Sequence, residues 1–324
     1  MDATKRTDVP AERKLLLGNP RGFCAGVVRA VAIVRIATAR YGSPVYVLNR
    51  IVHNDEVVAG LESEGAIFVG DLSEVPDGSL VIFSPHGIPP SVKRETERRG
   101  LRYIDSTCPL VAKVHREALR FKSEGRSILL IGQADHPEVI GVVGEAPQHI
   151  TVIDPRVDLN QLDIEVEGIA VLSQTTLPYG DTTRFVEALR ERYNDVVVPT
   201  GDDICYATQN RQDAVRALAE HCDTLIVVSG SRSNNGSSLA HVAAQLGCST
   251  HLTPNADGIL SDWLGTSGTI GLVAAASTPE SSIAGCIGRI RELVPGIVVE
   301  EMQGATEEIS FRLPPELEDS GAGT

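Results

Sequence analysis

The sequence lacks the features that mark membrane, secreted and nucleic-acid-binding proteins. No apolar run approaches the roughly 18–20 residues of a membrane-spanning helix, and the first residues, MDATKRTDVPAERK, contain no apolar core of a secretory signal. The 29 Lys and Arg residues are outnumbered by 43 Asp and Glu, so the net charge is −14. Because polyanions are bound by basic faces, this balance argues against nucleic-acid and membrane partners. We therefore expect a cytoplasmic globular protein.

Cysteine is also scarce. The 324 residues include 6 cysteines, too few for a disulfide scaffold, which indicates a reducing compartment. Closely spaced C-x₂-C pairs, which are typical of structural zinc sites, are absent. No low-complexity segment or long linker interrupts the chain, so we expect any domains to pack directly against one another.

Short β-branched runs alternate with longer amphipathic stretches along most of the chain. This pattern is typical of an α/β fold built from βα units with mainly parallel sheets. The clearest predicted strands are 14–18, 45–48, 80–84, 127–131, 169–173, 225–229 and 269–273. The clearest predicted helices are 25–40, 110–122, 182–192, 212–221 and 239–246. The ends of the chain, 1–13 and 314–324, are polar, and we expect them to be flexible.

Three of the six cysteines occupy matched positions, each after an extended segment and directly before a helix. Cys24, Cys108 and Cys205 end the segments NPRGFC, IDSTC and GDDIC. Their separations are about the size of a small α/β unit, which predicts three similar domains at 14–106, 107–200 and 201–313. In a pseudo-threefold assembly of these domains, the three thiols would meet on one axis.

A helix N-terminus stabilises a thiolate, and three thiolates at one point would form a site for a soft metal. Without paired cysteines, zinc is disfavoured; a [4Fe–4S] cluster held by three sulfurs would leave one iron open to substrate. The alternative is that these cysteines are small buried apolar side chains. We expect that ordinary role for Cys222, Cys248 and Cys286.

Three histidines lie in loops after strands or at the start of helices. His53, His86 and His136 belong to the segments IVHN, SPHG and ADHPEV. Because ligand sites lie at the carboxyl ends of parallel strands, a shared pocket is one interpretation, and separate solvated loops are the other. His115 follows Cys108 on the same helix face and is either near the site or simply packed.

Hydroxyl-rich loops supply neutral donors. The loops 229–238 (SGSRSNNGSS) and 275–280 (AASTPE) each follow a strand and open a helix, which is typical of phosphate sites and also of ordinary capping loops. Thr175 and Thr176 follow a strand in the same way. Glu138 could supply a proton if burial raises its pKa.

A basic stretch includes Lys93, Arg94, Arg98 and Arg99. We expect it to be a solvated helix face. The alternative is a docking face for an acidic electron carrier, because its charge is opposite to the net charge of the chain.

The motifs, taken in order, resemble a known family. NPRGFCAGV, VHN, SPHGI, TCPLV, HPEV, QTTL and DDICYAT, followed by the late serine loops, are similar to those of the LytB-type 4-hydroxy-3-methylbut-2-enyl diphosphate reductases of non-mevalonate isoprenoid synthesis. The resemblance covers about residues 14–312. It implies three α/β domains with mainly parallel sheets, arranged as a pseudo-threefold trefoil around a central [4Fe–4S] cluster.

The resemblance also implies roles for individual residues. Cys24, Cys108 and Cys205 match the cluster ligands. Glu138 and Thr175 match the groups that deliver a proton. The residues that match the substrate-binding groups are His53, His86, His136, Thr175, Thr208, Ser233, Asn234, Asn235 and Ser277.

The implied reaction removes an allylic hydroxyl with two electrons and two protons, giving isopentenyl and dimethylallyl diphosphates. A ferredoxin- or flavodoxin-type donor would supply the electrons. At least one protonated histidine would offset the diphosphate charge. We expect a monomer or a weak dimer.

Three segments depart from the family pattern. Asn234 stands where the family has a second serine before Asn235, Ala275 replaces a glycine near the phosphate loop, and 140–142 (IGV) replaces Glu-Gly-Thr. These departures keep two alternatives open: a paralogue that retains the cluster but uses another allylic diphosphate, and a paralogue that only binds or regulates. A cluster-free hydrolase or transferase of phosphorylated metabolites is a third.

Overall fold

Every strand pair in the described part of the chain is parallel, and the strands form three separate sheets. A computed structural model describes residues 13–154, 156–157, 168–265 and 268–318. The strands are β1 (Lys14–Leu17), β2 (Val45–Leu48), β3 (Ala66–Val69), β4 (Leu80–Phe83), β5 (Arg102–Asp105), β6 (Ser127–Ile131), β7 (Ile150–Ile153), β8 (Ile169–Ser173), β9 (Val196–Val197), β10 (Thr224–Val228), β11 (Ser249–Thr253), β12 (Thr269–Ala274) and β13 (Val298–Glu301). The predicted α/β class is confirmed.

The helices alternate with these strands. They are α1 (Ala25–Tyr41), α2 (Asp55–Ser63), α3 (Pro90–Arg98), α4 (Pro109–Ser123), α5 (Pro137–Glu145), α6 (Tyr179–Arg192), α7 (Tyr206–Ala219), α8 (Asn234–Gln245) and α9 (Glu280–Leu293). α8 begins five residues before the predicted start, because the Ser233 hydroxyl accepts the Gly236 amide and caps the helix there. Among the described helices, none has the length and apolar character needed to span a membrane.

The three sheets take their strands from different parts of the chain. In spatial order, sheet A is β11-β10-β12-β1-β13, sheet B is β3-β2-β4-β5 and sheet C is β7-β6-β8-β9. β1 falls in the predicted range 14–106, yet it pairs with β12 and β13, with Lys14 opposite Thr269 and Val298. The predicted ranges therefore do not follow the sheets at this strand, because local periodicity does not encode such a distant pairing.

At each of the three matched cysteines, the chain leaves one sheet and covers the next. α1 follows β1 of sheet A but buries Ile33 in the core of sheet B. α4 follows β5 of sheet B and buries Phe121 against sheet C. α7 follows β9 of sheet C and buries Leu218 against sheet A. Because each helix starts from one sheet and packs on the next, the three helices connect the sheets in a cycle. Each fully buried side chain of this size stabilises that packing by roughly 1.5–3 kcal/mol.

The segment after β13 returns to sheet B. Leu317 is 2% exposed and packs in the core shared by α1 and sheet B. Arg40 and Tyr41 donate to the carbonyl of Glu316, at 3.0 and 3.1 Å. The prediction of a flexible tail from 314 is therefore wrong for 314–318, because the tail contains one apolar anchor. The rest of that tail and residues 1–12 lie outside the described residues.

Candidate active site

One cavity of about 120 Å³ gathers all the side chains that the sequence predicts for the cluster and the substrate. They come from loops that follow parallel strands and from the starts of helices, where ligand sites of such sheets lie. The predicted residues that line the cavity are Cys24, His53, His86, Cys108, His136, Glu138, Thr175, Cys205, Thr208, Ser233, Asn234, Asn235 and Ser277. The convergence on which the hypothesis depends is therefore present.

The cysteines stand directly before α1, α4 and α7, each with an extended backbone. A Cβ at Gly26 would lie 3.0 Å from Cys108 Sγ and 3.7 Å from Cys24 Sγ, so glycine leaves open the space beside both sulfurs. Cys205 Sγ lies 3.2 Å from Thr208 Oγ1. The three thiols thus reach the same cavity from three different helices.

Burial dominates the acidity of Cys108 and Cys205. Burial and, to a smaller extent, the nearby Cys24 raise the pKa of Cys108 to about 11 and that of Cys205 to about 12. Backbone N–H groups of Leu110 and Val111 lower the pKa of Cys108, but by less than burial raises it. The stabilisation of a thiolate that the sequence predicts at the helix N-terminus is present at Cys108, but burial outweighs it. Deprotonation needs a metal cation to replace the proton.

This donor set fits an iron–sulfur cluster better than a single ion. Cys24, Cys108 and Cys205 are all free cysteines. Within the described residues, no group of three or more His, Cys, Asp or Glu side chains could hold one metal ion. Thiols distributed around one cavity are typical of a larger group that is bound through several thiolates.

The three histidines pack ring to ring on another wall of the cavity. The ring centroids of His53 and His86 are 4.6 Å apart. The ring centroid of His136 lies 5.3 Å from that of His53 and 5.6 Å from that of His86. Both ring nitrogens of His53 and Nδ1 of His86 are buried without a hydrogen-bond partner. Leaving such a group unpaired costs about 1–3 kcal/mol, so this wall is suited to an oxygen-rich anion.

The surroundings that the protein itself provides keep these three rings neutral at pH 7. Burial lowers the pKa of His53 to about 4, and Arg50 and Arg232 lower it further. Burial also lowers the pKa of His136 to about 3 and lowers that of His86. The expected protonated histidine therefore depends on the anion, which would raise these pKa values.

Glu138 is only 2% exposed and is close to groups on both walls: its amide donates to His136 Nδ1 at 3.1 Å, and its carboxyl group contributes to the raised pKa of Cys108. Thr175 donates to both of its oxygens, from the amide at 2.7 Å and from the hydroxyl at 3.1 Å. Burial raises the pKa of Glu138 to about 7, and Asp203 adds to the rise, whereas the Thr175 hydrogen bonds lower it. Near neutral pH the carboxyl group can therefore hold a proton and release it.

Neutral donors complete the polar lining. Asn235 donates to Thr208 Oγ1 at 3.3 Å, which links the late loop to the Cys205 helix. The hydroxyls of Ser233 and Ser277 are 3.5 Å apart. Asn234 Nδ2 is buried without a partner and, like the histidine nitrogens, is available to an acceptor.

The departures from the family pattern lie in different surroundings. Asn234 lines the cavity. Ala275 is fully buried, and a Cβ at Gly236 would lie 3.6 Å from its methyl group, so it packs towards α8 rather than into the cavity lining. Ile140 is 47% exposed and Val142 belongs to the core of sheet C. Of these departures, only Asn234 belongs to the cavity lining.

His115 and the basic stretch at residues 93–99 lie outside the cavity lining. His115 Nδ1 is 2.8 Å from Glu145 Oε1, and its ring packs against glycines, which favours the packed interpretation. In the basic stretch, Arg98 is exposed and pairs with Glu95, as expected of a solvated helix face. Arg99 differs, because its largely buried guanidinium donates to the carbonyls of Leu72 and Val75, at 2.7 and 2.6 Å, and pairs with Asp77. Docking of an acidic carrier there stays a prediction.

The sequence argument missed the apolar part of the cavity. Its signal was present, because these residues lie inside or next to the motifs that carry the polar groups. The apolar lining includes Val27, Ile51, Val52, Pro85, Leu110 and Val111. A short hydrocarbon chain would be desolvated against this wall.

Comparisons with known proteins agree with this geometry. The family model described as LytB protein matches residues 15–291. The chain is 46% identical over 308 residues to the 4-hydroxy-3-methylbut-2-enyl diphosphate reductase of Aromatoleum aromaticum, covering 95% of this chain and 98% of that protein. It is 47% identical over 309 residues to the enzyme of the same name from Acidothermus cellulolyticus, covering 94% and 90%.

Solved structures lead to the same family. The E-1-hydroxy-2-methyl-but-2-enyl-4-diphosphate reductase from Plasmodium falciparum superimposes with a TM-score of 0.90 at 34% identity, over 95% of this chain and 97% of that one. An (E)-4-hydroxy-3-methyl-but-2-enyl diphosphate reductase superimposes with a TM-score of 0.62 at 30% identity, over 87% and 99%. With its matched cysteines, buried histidines and protonatable glutamate in one cavity, the chain belongs to the LytB family.

Proposed function

We propose that the chain reduces (E)-4-hydroxy-3-methylbut-2-enyl diphosphate to isopentenyl and dimethylallyl diphosphates, the last step of the non-mevalonate pathway. One observation carries the proposal: a buried anion-binding wall, a protonatable carboxyl group and three free thiols share one cavity. The overall change consumes two electrons and two protons. The C–O bond breaks, the oxygen leaves as water and a C–H bond forms.

The cofactor in this proposal is one [4Fe–4S] cluster per chain, held by Cys24, Cys108 and Cys205. When bound, such a cluster supplies electrons one at a time and a Lewis-acidic iron for the hydroxyl oxygen. The raised pKa values of Cys108 and Cys205 are consistent with thiols that ionise only as metal binds. A ferredoxin- or flavodoxin-type protein is the proposed electron donor.

The histidine wall would bind the diphosphate. His53 and His86 have unpaired ring nitrogens, and Asn234 has an unpaired amide nitrogen. The hydroxyls of Ser233 and Ser277, which line the same cavity and lie 3.5 Å from each other, add two neutral donors. A charge-assisted bond to phosphate would raise the histidine pKa values, so binding would take up protons.

Glu138 would protonate the leaving hydroxyl oxygen. Its pKa of about 7 makes the carboxyl group a proton donor at neutral pH, and Thr175 holds both of its oxygens in place. The apolar wall around Ile51 and Val111 would pack against the five-carbon chain and exclude water. The diphosphate would thereby be separated from the reacting end of the substrate.

Anaerobic purification followed by turnover tests the proposal. We expect about four irons per chain, oxidation of reduced viologen by the allylic diphosphate, and both five-carbon diphosphates as products. Iron without turnover would favour a binding or regulatory paralogue. A chain that takes up no iron would overturn the proposal and favour a cluster-free enzyme of phosphorylated metabolites. The expected cytoplasmic location and the monomer or weak dimer stay predictions.

A further inference from the structure

Three basic side chains lie at similar distances along the helices that follow the cysteines. Arg29 lies five residues after Cys24, Lys113 lies five residues after Cys108, and Arg211 lies six residues after Cys205. Each cation is therefore more than one helical turn below the thiol that begins its helix. None of the three lines the cavity.

Each of these cations donates to backbone carbonyls just before the next cysteine. Arg29 Nη1 contacts the carbonyl oxygens of Ser106 and Thr107, at 2.9 and 3.2 Å, immediately before Cys108. Lys113 Nζ contacts those of Gly201 and Asp202, at 2.9 and 2.8 Å.

Arg211 closes the cycle. Its Nη2 and Nε donate to the carbonyl of Gly22, at 2.7 and 3.2 Å, two residues before Cys24. The guanidinium is fully buried and is paired with Glu307 at 2.9 Å. The helix after Cys24 thus contacts the loop before Cys108, and the helix after Cys108 contacts the loop before Cys205. The helix after Cys205 contacts the loop before Cys24.

The cysteine loops are also held from the cavity side. The amide of Cys108 donates to the carbonyl of Pro85 at 3.0 Å, and the amide of Cys205 donates to that of Thr175 at 3.1 Å. The amide of Cys24 donates to that of Ala276 at 3.3 Å. Each cysteine is therefore fixed between a substrate loop in front and a cation behind.

We propose that Arg29, Lys113 and Arg211 form a closed ring of positioning residues that sets the relative placement of the three thiols. Because every cation joins the helix of one cysteine to the loop of the next, loss of one link frees two cysteines relative to each other. The inference rests on the proposed function for the identity of the metal group that the thiols hold.

Lys113 offers the cleanest test, because its side chain is partly exposed and its loss leaves no large cavity; its Nζ also lies 3.6 Å from Asp203 Oδ1, so the substitution removes that ion pair as well. In Lys113→Met, we expect the anaerobically loaded cluster to be lost to a chelator about tenfold faster, since one link of the ring is missing. Lys113→Arg should restore most of the wild-type rate. The matched control is Lys122→Met on the same helix, whose Nζ donates to the carbonyl of Glu145 at 3.2 Å, away from the cysteines.

Two further measurements separate the ring from a general effect on folding. At alkaline pH, where Asp203 stays ionised without its partner Lys113, the reduction potential of the loaded Lys113→Met protein should fall, because a positive charge on the Cys108 helix is removed, whereas Lys122→Met should keep the wild-type potential. Combining Lys113→Met with Arg29→Gln should accelerate cluster loss by less than the product of the single effects, because one broken link already opens a closed ring.

The outcomes are distinct. If the wild-type chain loads iron but Lys113→Met matches Lys122→Met in both cluster loss and potential, the ring is wrong and the proposed function stands. If cluster loss in the double variant is accelerated by the full product of the two single effects, the cations act separately and the closed ring is overturned. A wild-type chain that loads no iron would instead overturn the proposed function together with the ring.

Discussion

The thiol side and the diphosphate side of the cavity are constructed in different ways. The thiol side repeats one arrangement three times: a strand ends, a cysteine follows, and a helix crosses to the next sheet. The polar side uses unlike parts, with histidines following strands of sheets B and C and hydroxyls and amides following strands of sheet A. The repeated side suits a compact metal group with equivalent corners, and the unequal side suits a substrate whose two ends differ.

The largest effect is expected when one cysteine of the thiol side is removed. Cys108→Ser should lower bound iron to well below that of the wild type and reduce turnover at least about 100-fold, because one of the three proposed ligands is lost. Iron analysis and viologen oxidation measure both effects. Cys248→Ser is the matched control, since Cys248 is buried away from the cavity lining, and it should keep full iron. Equal iron in the two variants would contradict the assignment of Cys108.

Glu138→Gln tests the group that connects the two sides. We expect turnover to fall by about 10²–10⁴-fold, the usual contribution of a general acid. Iron content and substrate affinity should change little, because the amide preserves the shape of the side chain. Near-normal turnover would remove the acid role of Glu138.

The pH profile gives a second test of the same residue. A pKa of about 7 means that the carboxyl group is protonated below neutral pH and loses its proton above it. The wild-type kcat should therefore decline as the pH rises through about 7, and the Gln variant should lack this decline. The same decline in both proteins would assign the titration to another group.

A smaller effect is expected on the diphosphate side. His53→Gln should weaken substrate binding by about 10–100-fold, the range expected when one charge-assisted hydrogen bond is lost, with less change in kcat. Because the pKa of His53 is about 4 and the anion would raise it, wild-type binding should take up protons and strengthen as the pH falls from 8 to 6.

Calorimetry in two buffers with different ionisation enthalpies measures this proton uptake. His221→Gln is the matched control, because that histidine is exposed at the end of α7 and outside the cavity lining. It should bind substrate like the wild type. Proton uptake that is unchanged in His53→Gln would exclude His53 as the group that titrates.

The smallest effect concerns the departures from the family pattern. Ala275→Gly should leave substrate affinity within about twofold and lower stability by about 0.5–1 kcal/mol, because the methyl group packs near α8 and glycine adds backbone freedom. Asn234→Ser changes a side chain that lines the cavity and should alter affinity more. A large affinity change in Ala275→Gly alone would place that methyl group near the diphosphate after all.

Much of the site was predictable because its residues lie at local junctions. A cysteine before a proline and an amphipathic run, as at Cys108, indicates a helix start without any knowledge of distant contacts. Three strands, β2, β6 and β8, have the predicted bounds because buried β-branched runs have sharp ends. The pairing of β1 with β12 and the packing of Leu317 were missed, since both join segments that are far apart in the chain.

Residue types and their order along the chain come from local sequence alone: three cysteines before helices, histidines and hydroxyls after strands, and one acid near a histidine. The acidity of these groups depends on folding. Burial raises the pKa of Glu138 to about 7 and is the main reason that the pKa of His53 falls to about 4. Convergence of the thiols likewise requires the cyclic crossing between three sheets. The cations of the ring lie five or six residues after each cysteine, but the sequence does not show what they contact, because each acts on a backbone carbonyl that any residue could provide.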